Sequence, residues 1–96
     1  MKKITNLSVI AKEWWDRVNG NSYFSAQIQV NGETIYLPFQ YGYDRMYLQQ
    51  STAALKNAGY EVGDIGLERY CRENNIPAVF HKSDKQLQRD VKAWGQ

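Results

Sequence analysis

The sequence predicts an α+β fold: a three-stranded antiparallel meander packed against two helices, with a small C-terminal strand/helix unit. Two observations carry this prediction. Asn31-Gly32 separates two runs of alternating apolar and polar residues, the strongest short-range signal for a two-residue type I′ hairpin. Beyond Gly42 the alternation gives way to apolar residues at helical spacing.

Taken literally, the Asn31-Gly32 turn pairs Ile28 with Ile35, Ala26 with Leu37 and Phe24 with Phe39 on one apolar face. The other face pairs Gln29 with Thr34, Gln27 with Tyr36 and Ser25 with Pro38. A slip of one residue would turn the apolar set outward, so turn and pattern fix the same register. Pro38 has no N–H to donate, which makes the second strand of the hairpin an edge or places Pro38 near its end. Upstream, Leu7, Val9 and Ala11 alternate with Asn6, Ser8 and Lys12 and predict a first strand within residues 3–15. The stretch Asp16–Asn21, with Asn19-Gly20 near its centre, supplies the turn into the next strand.

Asp44 is the expected N-cap of a helix over 45–58, with Leu48, Ser51, Leu55 and Ala58 as its buried stripe and Gly59 as its stop. A second helix is expected to begin at Gly63-Asp64 and to end before Ile76-Pro77, burying Ile65, Leu67, Tyr70 and Cys71. Ala78–His81 is short and β-prone and offers a fourth strand. Ser83-Asp84-Lys85-Gln86 fits a capping box for a third helix carrying Leu87, Val91 and Trp94, although a turn plus a short strand satisfies the same pattern over 84–94. No internal repeat or linker divides the chain, so residues 1–96 are expected to form a single domain.

The composition narrows function by exclusion. A formal net charge of +2 is too small to mark a dedicated nucleic-acid binder, and it also argues against an acidic DNA mimic. Cys71 is the only cysteine, which rules out an internal disulfide and a cysteine zinc site. No charged-then-apolar leader and no apolar run of membrane-spanning length are visible, and a cytoplasmic protein is expected. His81 is the only histidine and has no nucleophile or metal pattern around it, so a structural or surface role is expected. Glu68 with Arg72, and Arg69 with Glu73, have the spacing of solvated helix pairs. The glycines of Tyr41-Gly42-Tyr43 and Gly63-Asp64-Ile65-Gly66 match no phosphate or dinucleotide loop. Neither an enzyme nor a cofactor or metal is expected.

Binding is the remaining class. Aromatic residues make up 14% of the chain, and Tyr41, Tyr43 and Tyr47 gather around Arg45 at a strand-to-helix turn, with Tyr36 nearby. Tyrosine and arginine are the residue types that dominate protein-binding hot spots, so these five are the candidate partner-binding residues. The alternative is a nucleic-acid contact through Lys82, Lys85, Arg89 and Lys92, strengthened if the basic N-terminal stretch lies beside them. The solvent side of the meander, with Tyr23, Gln27, Gln29, Thr34 and Tyr36, is polar but uncharged. An RNA-binding sheet needs cations beside its stacking aromatics, and Lys12 is the only one the sequence places there. The exposed edge strand also offers a route to a homodimer.

The phrases ITNLSVIAKEWWDRVNGNSYFSAQIQVNG, TIYLPFQYGY and RDVKAWG together resemble a family of small proteins encoded by bacteriophages. The resemblance covers most of the chain, is strongest over residues 4–60, and brings no activity or site residues with it. It implies an accessory protein in the cytoplasm of an infected bacterium. By analogy of size and setting it implies an inhibitor of a host protein complex, with an anti-CRISPR protein that binds a Cas effector as the sharpest version.

Overall fold

Asn31 and Gly32 both take positive φ (50° and 87°), as a type I′ turn requires. In the computed structural model, which describes residues 1–96, this turn joins β2 (Asn21–Val30) to β3 (Glu33–Tyr41). The turn does more than reverse the chain. The Asn31 side chain accepts hydrogen bonds from the Thr5 N–H and hydroxyl (2.7 and 2.9 Å) and donates to the Lys3 carbonyl (2.8 Å). It thereby ties the N-terminal segment to the hairpin tip.

β1 (Leu7–Asp16) pairs antiparallel with β2 along its whole length, and the connecting turn is held by Asp16. The Asp16 carboxylate accepts from the N–H groups of Val18 and Asn19 and from the Asn19 amide. β4 (Ala78–Ser83) then pairs with the other side of β1, parallel to it, giving the order β3-β2-β1-β4. β3 is an edge, one of the two placements that Pro38 allowed. β3 and β4 run parallel, so the chain between them must cross the sheet. That return is made by α1 (Met46–Asn57) and α2 (Leu67–Glu73).

The apolar face of the sheet meets these two helices. Val9, Ala11, Ala26, Ile28 and Leu55 are completely buried in one core. Both helices end in the same way: Tyr60 N–H reaches the Leu55 carbonyl around Gly59, and Ile76 N–H reaches the Cys71 carbonyl around Asn75. α3 (Gln88–Trp94) lies on the opposite face, which makes three layers. Ser25 donates to the Val91 carbonyl, Trp94 Nε1 donates to the Ile10 carbonyl (2.8 Å), and Gln27 donates to the Trp94 carbonyl (3.1 Å). The meander face expected to meet solvent is therefore covered through its middle, and Gln27 lies partly under α3.

Four local expectations need correcting. The strand pairing slips between Ala26↔Leu37 and Phe24↔Gln40, because β3 inserts one extra residue at Pro38. Pro38 cannot donate to a ladder, so a bulge is its natural position, and Phe39 is turned away from Phe24. Asp44 does not cap α1: it is left-handed (φ 55°) and the helix start has no side-chain cap. Gly63 and Gly66 both have positive φ, so α2 begins only at Leu67 and Ile65 is exposed. Ser83 belongs to β4 and α3 lacks the expected capping box, yet 88–94 is a helix. No helix is long and apolar enough to cross a membrane.

Candidate functional site

Gly42 sets the geometry where β3 leaves the sheet. A Cβ at this position would lie 2.4 Å from the Phe24 ring, so only glycine lets the chain pass there. Its neighbours point outward: Tyr41 and Tyr43 are 54% and 55% exposed and meet edge to face with centroids 6.2 Å apart. The following turn is pinned from below. Lys82 Nζ donates to the Asp44 carbonyl (2.8 Å) and to Glu13 Oε1 (3.0 Å). The Lys82 and Glu13 side chains are only 15% and 13% exposed. Burial pushes the Glu13 carboxyl above its ordinary range, and the Lys82 ammonium offsets part of that push.

Arg45 comes next, exposed and ion-paired with Glu68 of α2. Between the two helices lies an open groove of about 710 Å³, lined by Tyr43, Arg45, Leu48, Ile65, Leu67 and Arg72 among others. Apolar floor, aromatic rim and arginines together suit a peptide or loop of another protein better than a small ligand.

The structure separates the five candidate contact residues. Tyr41, Tyr43 and Arg45 share one exposed end. Tyr47 does not join them: it is 8% exposed and packs in the core with Leu48 and Leu55, because α1 starts at Met46 and turns position 47 inward. Burial raises its phenol pKa. Tyr36 is 47% exposed but sits opposite Gln27, toward the hairpin tip and five residues along β3 from Tyr41. At the rise of an extended strand that is about 15 Å away.

The four basic candidates also divide. Lys82 is consumed by Glu13, Asp84 and the Asp44 carbonyl, so it cannot reach a phosphate. Lys85, Arg89 and Lys92 are exposed. Of the N-terminal lysines, Lys12 approaches this segment, with its Nζ 4.5 Å from the Trp94 ring centroid. Lys2 is elsewhere, over Tyr60.

One arrangement could not be read from the sequence. Trp14, Tyr23, Phe39 and Tyr41 form a continuous aromatic cluster across β1, β2 and β3. Tyr23 and Phe39 stack at 5.2 Å and 5°, Trp14 lies 5.6 Å from Tyr23, and Tyr41 meets Tyr23 edge to face at 5.9 Å. Lys92 Nζ sits 5.3 Å from the centre of the Phe39 ring. The bulge at Pro38 is the missing signal, since without it Phe39 falls on the core face.

His81 Nε2 lies 3.2 Å from Ser83 Oγ on the exposed side of β4, with no third polar group in the contact. Cys71 is buried in the core, and burial raises its thiol pKa, so it is not a ready thiolate. No group of three His, Cys, Asp or Glu side chains comes together as a metal site.

Fold and site thus define an α+β protein with helices on both faces of a mixed four-stranded sheet and an exposed tyrosine-arginine end. Comparison with protein families, curated proteins and solved structures finds no match to this chain.

Proposed function

We propose that the protein is a phage-encoded binding protein that inhibits a host protein complex, with a CRISPR–Cas effector as the sharpest candidate target. The observation that carries the binding part is half-exposed Tyr43, standing with Arg45 at the rim of the α1–α2 groove and met edge to face by half-exposed Tyr41 across Gly42. Rigidly presented tyrosines lose little side-chain entropy on binding, and arginine adds directional hydrogen bonds. The phage setting and the choice of target rest on the family resemblance alone.

The test is co-purification of tagged protein with a Cas effector from a nuclease-treated bacterial lysate. The wild type should retain the effector and suppress its target cleavage. Tyr43→Ala and Arg45→Ala should lose both effects while melting within a degree or two of the wild type, because exposed ion pairs contribute only about 0–1 kcal/mol. Retention by both variants, or no retention by the wild type, removes this reading.

A further inference from the structure

We propose a second site, which shares only Tyr41 with the protein-binding reading: the sheet face beside α3 binds single-stranded nucleic acid. Bases would stack on the Tyr23–Phe39–Tyr41 cluster, and phosphates would meet Lys12, Arg89 and Lys92.

Most cations outside this face are engaged. Lys2, Arg45, Lys56, Arg69 and Lys82 are all ion-paired. Lys12, Arg89 and Lys92 are in no ion pair, and two of them lie against aromatic rings on this face. Lys12 and the 84–94 segment together hold four cations against Asp84 and Asp90, an excess equal to the formal net charge of the whole chain. The segment beside the rings thus carries a local positive excess, while Lys3, Arg17 and Arg72, also in no ion pair, belong to other parts of the chain.

The second part is the rings. Trp14, Tyr23 and Phe39 are only partly buried, Tyr41 is more than half exposed, and the four span three adjacent strands. Every base has a π face, so such a platform accepts unpaired bases with little regard to sequence. A protein partner is the poorer fit, because the centres of protein interfaces are depleted in lysine. A duplex is poorer still, because its base faces are already stacked.

Fluorescence anisotropy of a labelled oligothymidylate of about a dozen nucleotides tests the proposal. Binding should be measurable at about 50 mM salt and fall steeply toward about 200 mM. A duplex of equal length should bind at least about tenfold more weakly, and Tyr41→Ala should weaken single-strand binding by about tenfold. Lys92→Ala should reduce the salt slope by about one. Arg45→Ala, at the α1–α2 groove and in none of the aromatic contacts of this cluster, should leave oligonucleotide binding unchanged, which separates this site from the groove. The proposal is overturned by no binding at low salt, or by equal binding of single strand and duplex with Tyr41→Ala neutral. Loss of a co-purified protein from Tyr41→Ala and Lys92→Ala while the oligonucleotide stays free would also overturn it.

Discussion

Glu33 and Tyr60 show how much a single polar contact can tie together. The Tyr60 ring is buried beneath the hairpin tip, and its hydroxyl donates to Glu33, which the Lys2 ammonium also approaches at 3.6 Å. The Tyr60 hydrogen bond, and then Lys2, hold the Glu33 carboxyl below its usual range, and the same bond raises the Tyr60 phenol. A lowered carboxyl contributes stability above its unfolded pKa that is lost as pH falls through the folded value. A raised phenol contributes stability below its unfolded pKa that is lost as pH rises through the folded value. The contact therefore works across the neutral range and fades at both ends. Tyr60→Phe should lower the melting temperature at neutral pH, and the deficit should shrink below about pH 4 and above about pH 10. A deficit that stays constant from acid to alkali would mean that the bond is not titrating as described. Glu33 is largely exposed, so the effect is a modest one.

At the scale of elements, α3 is held by a close approach of backbones. A Cβ on Gly95 would come within 2.6 Å of the Leu37 carbonyl oxygen and 3.0 Å of Pro38 Cα, neither of which can rotate away. Gly95→Ala should cost about 1–3 kcal/mol in denaturant unfolding, as expected for overpacking against a rigid wall. It should also shift the fluorescence of Trp94 as α3 lifts. An unchanged midpoint would place the end of α3 off the bulge.

The same region shows why sequence reading succeeds and then stops. The hairpin, its Ile28–Ile35 and Ala26–Leu37 pairs, the edge position of β3 and the buried stripe of α1 follow from local pattern and turn chemistry. Period-two counting puts Phe39 on the wrong face, because a bulge changes the two-residue period without leaving a repeat of its own. The caps at Asp44 and Ser83 failed for a related reason. Each residue was drawn into a longer-range contact, Asp44 through its carbonyl with Lys82 and Ser83 through pairing with β1. Of the candidate site, Tyr41, Tyr43 and Arg45 were legible as a cluster. The burial of Tyr47 depended on where α1 begins, and the Lys82–Glu13 pair joins positions 69 residues apart.

At the scale of the whole molecule, the last 19 residues complete the two things the meander lacks. β4 covers the open side of β1, and α3 covers the polar face. A chain ending at Ser83 keeps the first and loses the second, so it should elute in the same oligomeric state as the full chain but melt well below it. A chain ending at Pro77 leaves β1 as a long unpaired edge and should form higher oligomers on size exclusion. Identical elution of the two would mean that β4 does not protect that edge.

The parallel pairing of β4 with β1 also sets an order of events during synthesis. The first 41 residues contain a complete meander, but Leu7 must wait for Ala78, and the sheet remains open along β1 until then. Loop closure over such a separation is slow compared with hairpin formation. On a ribosome, the growing chain therefore carries an unpaired strand β1 until residues 78–83 have emerged. A cell making it in bulk would meet its sticky form first, and its yield should depend on how promptly β4 follows the meander out of the ribosome.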